Sequence, residues 1–346
     1  MSIKLKLLKN KRILVTGGFG FIGSHLIRTL IQKYKCNILN LDSKSYCSMP
    51  EALKDLKNCK QYNYIKNNLS NSILLKKIIL KFKPVYIFHL AAESHVDNSI
   101  NSPENFMQTN ILGTYHLINA LNLSGLRQFK FIHISTDEVY GSLQHKRDKS
   151  FTEDSKFLPN SPYAASKASS DLIVRAWIKT FNFPAIITNC VNNFGPWQFP
   201  EKLVPVVISK CLSNNKIPVY GNGKNIREWI FVEDHVNFLI NIMVKGKTGE
   251  TYNIGSGFEI ENIELIHKIC EYLDKKFAKQ KTYKSNVSFV KDRLGHDYRY
   301  SLNSKKTQKI LKLKYNKNYF DAKLYQTIDW YIKNERWINK RLLNSK

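Results

Sequence analysis

The sequence predicts an α/β protein in which a doubly wound parallel sheet is joined to a smaller, mixed α/β lobe. Three observations predict this fold. Short apolar strand patterns alternate with helix patterns, a glycine-rich turn directly follows the first strand pattern, and the alternation ends near residue 190. The 346 residues, of which 43% are hydrophobic, suit one or two lobes with a large buried core.

The first half of the chain carries six strand patterns and four helix patterns. Pro103 and Pro162 fit the first turns of two helices, where the missing N–H costs nothing. The predicted strands are 12–16, 36–41, 61–66, 85–90, 129–134 and 185–189. The predicted helices are 24–32, 72–81, 103–124 and 162–180.

The pattern changes after residue 190, where asparagine and proline become dense and the strand patterns become short. We therefore expect residues 1–190 to form the first lobe and residues 191–346 to form the second. A segment at about 224–245 is expected to return to the first lobe.

The glycine pattern G-G-F-G-F-I-G links the first predicted strand to a helix, as in a Rossmann-type nucleotide-binding turn. Gly17 permits the tight turn, Gly20 lets the backbone approach a pyrophosphate, and Gly23 lets the helix pack closely on the strand. Asp42 ends the second strand, close to the offset at which an acid binds the adenosine ribose. Its charge repels a 2′-phosphate, so the sequence predicts NAD rather than NADP, although the nearby Lys44 works against that preference.

Two short motifs carry candidate catalytic residues. Tyr163 and Lys167 are four residues apart, so on a helix their head groups can share one substrate hydroxyl and one ribose, as in a hydride-transfer site. Asp137 and Glu138 directly follow a strand and add a proton donor and acceptor that plain alcohol oxidation does not need, which indicates elimination. The alternatives are a solvated helix face for the first pair and a surface turn for the second.

Composition limits the other classes of function. The net charge of +27 would suit a nucleic-acid binder, but the lysines are scattered and no arginine cluster or aromatic-interleaved basic run occurs, so nucleic acid is not an expected partner. The six cysteines form no C-x-x-C pair, so no metal is expected. Residues 1–10 are polar and no run of about 18 apolar residues occurs, so we expect a cytoplasmic protein without a membrane span.

Motifs along nearly the whole chain resemble those of the nucleoside-diphosphate-glucose 4,6-dehydratases, in the extended short-chain dehydrogenase family. Asp137 and Glu138 together are the specific part, because related epimerases usually lack both acids and related decarboxylases keep only the glutamate. The resembling segments are TGGFGFIG, LDSKSYC, HLAAESHVDNS, TNILGT, HISTDEVYG, SPYAASKASSD, NNFGPWQFPEKLVP, YGNGKNIREWIFVEDH and DRLGHDYRY.

The resemblance implies a reaction that begins and ends with the same cofactor state. A glucose nucleotide is oxidised at C4, loses water across C5 and C6, and receives the hydride at C6, which gives a 4-keto-6-deoxy sugar for rhamnose or other deoxysugars. Tyr163 would take the proton of the 4-hydroxyl, its pKa lowered by Lys167 and the nicotinamide charge, and Thr136 would hold the 4-oxygen. Glu138 would remove the C5 proton and protonated Asp137 would protonate the departing 6-hydroxyl.

The resemblance also implies binding residues. On the cofactor side, besides the glycines, Tyr163 and Lys167, they are Phe19, Ile22, Asp42, Ala91, Ala92, Thr109 and Asn193. Asn68 stands where the family usually has an aspartate that accepts from the adenine amino group, and its amide oxygen can still accept. The implied substrate residues are Ser94, Asn192, Lys202, Arg227, Asn262, Arg293 and His296, although the two arginines could also be surface ion-pair partners.

Three functions therefore remain open on sequence alone. They are a 4,6-dehydratase, a sugar-nucleotide epimerase or decarboxylase of the same fold, and a noncatalytic NAD-binding interaction protein. The nucleotide is open as well, because LDSKSYC resembles eukaryotic-type enzymes, some of which use UDP-glucose, whereas NNFGPWQFPEKLVP resembles bacterial dTDP-glucose enzymes. Family members are commonly homodimers joined by two helices per subunit, for which 103–124 and 162–180 are the candidates. The stripe Leu172, Ile173, Ala176 and Trp177 suits such an interface or the sheet.

Overall fold

The computed structural model describes residues 8–278, 281–313 and 315–343, so most of the N-terminal segment 1–10 considered above lies outside the described residues. The strands in this part of the chain are β1 Arg12–Thr16, β2 Asn37–Asp42, β3 Tyr62–Lys66, β4 Tyr86–His89, β5 Lys130–Thr136, β6 Ala185–Cys190, β7 Asn192–Phe194, β8 Ile217–Tyr220, β9 Ile226–Phe231, β10 Thr251–Ile254, β11 Glu259–Glu261 and β12 Val287–Val290.

Helices connect most of these strands. The α-helices are α1 Phe21–Gln32, α2 Ser72–Phe82, α3 Val96–Asn101, α4 Pro103–Phe106, α5 Gly113–Leu123, α6 Pro162–Phe181, α7 Leu203–Leu212, α8 Val232–Lys245, α9 Asn262–Phe277, α10 Lys305–Gln308, α11 Lys317–Lys333 and α12 Glu335–Leu343. Three 3₁₀ segments lie at Pro50–Leu56, Asp137–Tyr140 and Tyr283–Asn286, and a π-helical turn spans Met107–Leu112.

Seven parallel strands form the large sheet, in the order β10-β6-β5-β4-β1-β2-β3. Successive residues of β1 point to opposite faces, so Ile13 packs into a core with α1 and α8, whereas Leu14 packs into a core with α2, α5 and α6. Helices therefore cover both faces, which confirms the predicted doubly wound α/β fold.

The second lobe has a core of its own, in which Trp229, Ile266 and Phe320 are buried. Its mixed three-stranded sheet has the order β11-β9-β7, and β8 pairs with β12 in parallel. The segment at about 224–245 contains β9 and α8. α8 packs in the core of the first lobe, whereas β9 pairs within the small sheet. β10 also lies in the first lobe, where it pairs with β6. This strand was not predicted, because its four residues give too short a pattern.

The predicted helix 103–124 is interrupted. Its middle widens into the π-helical turn, where Gly113 N donates to Gln108 O five residues earlier. The widening turns Asn110 inward, where its side chain accepts from Glu93 N at 2.8 Å and donates to Ser166 Oγ at 2.8 Å. Apolar periodicity cannot reveal such a local change. Among the described residues, no helix has both the length and the apolar character to cross a membrane.

Candidate active site

A cavity of about 480 Å³ opens between the two lobes at the carboxyl ends of the parallel strands. It brings together eighteen of the residues that the sequence analysis singles out. They are Gly17, Gly20, Ile22, Gly23, Ala92, Ser94, Thr136, Asp137, Glu138, Tyr163, Lys167, Asn192, Asn193, Lys202, Arg227, Asn262, Arg293 and His296. Phe19, Asp42, Asn68, Ala91 and Thr109 do not line this cavity.

The glycine loop forms the floor of one half of the cavity. Gly17 has a φ of +71°, and a Cβ there would lie 2.7 Å from Ala91 N, so the loop lies directly on the backbone that follows β4. Gly20 is the N-cap of α1 and provides no side-chain cap, so the first amide groups of this helix face the cavity without a side-chain acceptor. This arrangement fits the pyrophosphate of a dinucleotide.

Asp42 lies behind the glycine loop, where it joins the loop to the next segment. Its Oδ2 accepts from Phe19 N at 2.9 Å, and its Oδ1 accepts from Lys44 N at 2.8 Å and Ser48 Oγ at 3.1 Å. A carboxylate has about four acceptor positions, so about one remains for a ribose hydroxyl. The Lys44 ammonium lies 5.0 Å from the Tyr64 ring centroid, which holds that charge on an aromatic face.

The other cofactor candidates outside the cavity have different surroundings. Asn68 is exposed, and its amide oxygen accepts from Ser70 Oγ at 2.6 Å, so an adenine amino group would have to compete with that hydroxyl. Thr109 lies in the π-helical turn. Asn193, within the cavity, is held through its amide oxygen by His235 Nδ1 at 2.9 Å.

The candidate catalytic residues come from the end of β5 and the start of α6. Thr136 Oγ1 donates to Asp137 Oδ1 at 3.1 Å and accepts from Glu138 N at 3.3 Å, which fixes the single 3₁₀ turn that carries both acids. Lys167 Nζ donates to Ile134 O at 2.9 Å, which draws α6 against β5. Asp137 and Lys167 are buried, so the alternatives of a surface turn and a solvated helix face are wrong.

The two acids have environments that suit proton transfer. Burial, and then the neighbouring Glu138 charge, raise the pKa of Asp137 well above its ordinary value. Within the described residues, Asp137 Oδ2 is buried without a hydrogen-bond partner, which fits a carboxyl group that keeps its proton. Burial also raises the pKa of Glu138, but Lys202 and Arg227 oppose that shift. The pair can therefore serve as one acid and one base.

The protein groups around Tyr163 favour its neutral form. Burial, and then the Glu138 charge, raise its pKa well above the ordinary value, and the Thr136 hydroxyl opposes this. Burial also lowers the pKa of Lys167, whose ammonium donates to a backbone carbonyl. The cost of burying a phenolate is therefore the largest influence on the tyrosine pKa among the described protein groups.

The opposite half of the cavity is lined by long polar side chains. Arg227 is only 6% exposed and donates to Ile226 O at 2.9 Å and to Asp297 O at 2.9 Å, so it is not a surface ion-pair partner. Its guanidinium carbon lies 4.3 Å from the Tyr300 ring centroid. The guanidinium groups of Arg227 and Arg293 thus line this half of the cavity.

Other predicted substrate residues make contacts that join the lobes. Arg293 Nε lies 2.6 Å from Asp97 Oδ1, on α3 of the first lobe, so the ion-pair alternative holds for this arginine although it also lines the cavity. Lys202 Nζ donates to Ser94 O at 2.5 Å. Asn262 Oδ1 is buried and has no hydrogen-bond partner in the described part of the chain, which leaves an acceptor for a ligand donor.

Sequence reasoning missed several ionisable residues of the cavity wall, among them Glu201, Tyr220, Asp297 and Tyr300. Tyr300 Oη donates to Asp297 Oδ2. All four lie inside segments that carry the resemblance, so the motifs marked the region without identifying which side chains point inward. Among the described residues, no cluster of three or more histidine, cysteine or acidic side chains could hold a metal ion.

The doubly wound sheet, the glycine loop and the buried Thr136, Tyr163 and Lys167 define a nucleotide-binding protein of the short-chain dehydrogenase type. A family model described as GDP-mannose 4,6 dehydratase matches residues 14–322. The chain is 42% identical over 342 residues to dTDP-glucose 4,6-dehydratase 1 of Escherichia coli K12, with 95% of this chain and 94% of that protein covered. The chain belongs to the nucleotide-sugar 4,6-dehydratase family, as the resemblance predicted.

Solved structures agree with this assignment. The crystal structure of the dTDP-glucose 4,6-dehydratase DesIV from Streptomyces venezuelae, with NAD bound, is 38% identical and superposes with a TM-score of 0.88, covering 95% of this chain and 99% of that one. A UDP-glucose 4-epimerase from Thermotoga maritima is 25% identical, with a TM-score of 0.82 and coverages of 93% and 99%. The epimerase alternative is therefore the more distant one.

Proposed function

We propose that the protein catalyses the NAD-dependent dehydration of dTDP-glucose to the 4-keto-6-deoxy-glucose nucleotide. The observation that carries this proposal is the adjacent pair of buried Asp137 and partly buried Glu138, which line one cavity together with Tyr163. A dehydrogenase or epimerase needs no second acid and base, whereas elimination of water needs both. The names of the relatives support the choice of reaction and of the dTDP-sugar.

The glycine loop, Asp42 and Lys167 would hold NAD, with the pyrophosphate at the uncapped start of α1. NAD, when bound, supplies the reversible store for the hydride that leaves C4 and returns to C6, and its ring charge favours the Tyr163 phenolate. The relatives solved with NAD support this assignment.

Tyr163 and Thr136 would act on the 4-hydroxyl. Tyr163 accepts the proton of that hydroxyl, and Thr136 Oγ1, at the end of β5, orients its oxygen. Because burial raises the pKa of Tyr163, the phenolate requires positive charge beside it, and Lys167 contributes one such charge from the next turn of α6. The buried position of the three side chains keeps water from the reacting carbon.

Asp137 and Glu138 would then remove water. The 4-ketone acidifies the C5 proton, which Glu138 accepts, and protonated Asp137 gives its proton to the departing 6-hydroxyl. Glu138 later returns its proton to C5. The cycle closes when the proton gained by Tyr163 replaces the proton lost by Asp137. The Thr136 hydroxyl lies beside both groups and so offers a path between them.

The nucleotide would occupy the half of the cavity that Arg227 and Arg293 face. Guanidinium groups suit a diphosphate because their paired N–H groups match neighbouring oxygens. The unpartnered Asn262 Oδ1 offers an acceptor to the imide N–H that thymine and uracil share. We therefore propose dTDP-glucose on the strength of the relatives, with UDP-glucose as the comparison substrate in the assay.

A homodimer is proposed for the assembly. α5 and α6 expose Leu123 (56%), Leu172 (55%) and Phe181 (50%), which suits a helical interface, while Ile173 and Trp177 of the same stripe pack against the first lobe instead. Sedimentation velocity should give twice the mass of one chain, and the mass of a monomer would refute this assembly.

Glu138→Gln tests the reaction. The variant keeps the side-chain shape but has no base for C5, so it should oxidise C4 and then stop, with reduced nicotinamide visible in the near ultraviolet and product formation at least about 100-fold slower. The wild-type protein, given dTDP-glucose and then alkali, should develop the absorbance of a 4-keto-6-deoxy sugar. Undiminished dehydration by the variant would refute the assignment of the base. An epimerised sugar from the wild type would refute the function.

A further inference from the structure

A third ionisable residue follows Tyr163 and Lys167 on the same face of α6. Asp171 lies one turn beyond Lys167, so the three residues are spaced four apart and lie one above another. The side chain is 1% exposed and does not itself line the cavity. It has no role in the reaction proposed above, yet a buried carboxylate is costly unless it is paired and hydrogen-bonded.

Three uncharged groups donate to the Asp171 carboxylate. Its Oδ1 lies 2.9 Å from His133 Nε2, and its Oδ2 accepts from Ser135 Oγ at 2.7 Å and from Asn189 Nδ2 at 3.3 Å. Burial holds the pKa of His133 well below its usual range, so this ring is neutral. Within the described residues its Nδ1 has no partner, which fits a tautomer that carries the proton on Nε2 and donates it to Asp171.

These donors come from two strands, and they connect the helix to the catalytic turn. Ser135 immediately precedes Thr136 on β5. Asn189, on β6, donates through its Nδ2 both to Asp171 and to Thr136 O, the latter at 3.1 Å. The carboxylate therefore ties the helix that carries Tyr163 to the strand end that carries Thr136, Asp137 and Glu138.

Lys167 is the cation whose charge favours the ionised form of Asp171. Burial raises the pKa of Asp171 to about 7, and Lys167, Ser135 and Asn189 oppose that shift, so the carboxylate is fully charged only on the alkaline side of neutral pH. Burial lowers the pKa of Lys167, and the charge of Asp171 is the largest influence that opposes it, followed by Cys190. The other titratable groups around the cluster are His133 from β5, His89 from β4, whose ring lies 5.4 Å from that of His133, and Tyr140 after β5. None of these carries a positive charge, because burial keeps both histidines neutral.

We infer that Asp171 is a positioning residue for the redox half of the reaction, which places a carboxyl group one helical turn from Lys167, on the side away from Tyr163, and fixes α6 against the acid-bearing turn. The inference rests on the proposed function, because it assigns the Lys167 charge a task in C4 oxidation. Asp171 itself touches neither sugar nor cofactor. Its loss should therefore change the rate of proton removal by Tyr163 and leave the affinity for the sugar nucleotide nearly unchanged.

The test compares variants in the Glu138→Gln background, where C4 oxidation is the observed step. Asp171→Asn keeps the shape and removes the charge, so oxidation should slow at least about tenfold. Because Lys167 then loses its ammonium at a lower pH, the alkaline midpoint of the rate should move down by about one unit. The substrate concentration at half-maximal rate should stay within about twofold. Bound NAD, measured after denaturation, confirms that the variant remains loaded.

Ser169→Ala is the control, and Ser135→Ala is a second test for the case in which Asp171→Asn does not fold. Ser135→Ala removes one donor to Asp171 but keeps the charge, and should slow oxidation less than Asp171→Asn does. Ser169→Ala, whose hydroxyl donates only within its helix to Ala165 O at 2.9 Å, should leave the rate unchanged. An unshifted alkaline midpoint in Asp171→Asn overturns the inference. If that variant does not fold, equal rates for Ser135→Ala and Ser169→Ala overturn it. The Glu138→Gln parent alone tests the proposed function, so the two failures are distinct.

Discussion

The two halves of the cavity are built in different ways. The half proposed for the cofactor is made mainly of backbone, supplied by one strand, one glycine turn and one helix that are consecutive in the sequence. The half proposed for the sugar nucleotide is made of long side chains from segments far apart in the sequence, among them Lys202, Arg227, Asn262 and Arg293. A backbone site is fixed by local geometry, whereas a side-chain site depends on how distant elements pack.

The two halves also differ in which kind of substitution they tolerate. In the first, space is the constraint, since the loop at Gly17 meets the backbone of Ala91. In the second, polar contacts are the constraint, since Arg227 donates to carbonyls of both β9 and the 297–298 segment. The first half should therefore respond most to added volume, and the second to the loss of a particular donor.

Gly17→Ala should have the largest effect. A Cβ at this position meets three backbone atoms within 3 Å, and the φ of +71° is strained for alanine, so the strand β1 and the segment after β4 would have to separate. We expect the purified variant to contain less than about a tenth of the NAD of the wild type, because overpacking costs about 1–3 kcal/mol at the binding surface. NAD released on denaturation and quantified by chromatography measures this.

Gly257→Ala is the matched control for that substitution. Gly257 has a similar φ of +78°, but a Cβ there meets nothing within 4 Å, so only the backbone strain is shared. This variant should keep its NAD and lose about 1–2 kcal/mol of unfolding free energy. Equal NAD contents in the two variants would contradict the claim that NAD binding depends on the close backbone contact at Gly17.

Arg227→Lys should have the smaller effect, on the second half. Lysine cannot reproduce the fork that reaches the carbonyls of residues 226, 297 and 298, nor stack on Tyr300 in the same way. The KM for the sugar nucleotide should rise about tenfold, corresponding to about 1.4 kcal/mol, with NAD content unchanged. Steady-state kinetics on the loaded protein measure it.

Arg299→Lys separates this role from general stability. Arg299 is buried to the same extent as Arg227, but it pairs with Glu259 and does not line the cavity. Both lysine variants should lower the unfolding free energy by about 1–3 kcal/mol, because each removes hydrogen bonds that a buried guanidinium group makes. If Arg299→Lys raised the KM as much as Arg227→Lys does, the second half would not depend on its particular donors.

The same contrast explains how much the sequence could predict. The strands β1, β2 and β5, the glycine loop and the Tyr163 helix follow from local periodicity and spacing, and the structure has them close to the predicted bounds. The contact between Asp97 and Arg293 joins residues 196 positions apart, and no local pattern encodes it. The π-helical turn and the return of β10 depend likewise on packing that periodicity does not express.

The catalytic residues could be predicted in part. Their types and spacing indicated an acid, a base and a redox tyrosine, and the resemblance implied a protonated Asp137. The physical cause of these charge states could not follow from sequence, because burial sets them. Asp137 is the clear example, since its raised pKa comes first from burial. Tyr163 is a second example, since burial raises the pKa that Lys167 and the nicotinamide charge together are expected to lower.

The proposed reaction requires that the hydrogen removed from C4 returns to C6 of the same sugar within one closed site. Glucose nucleotide that carries deuterium at C4 should give a product whose new C6 methyl group contains that deuterium, in single molecules and without exchange with unlabelled substrate in the same mixture. Mass spectrometry of the product measures both. Deuterium that is absent from the methyl group, or scattered among unlabelled molecules, would contradict the account.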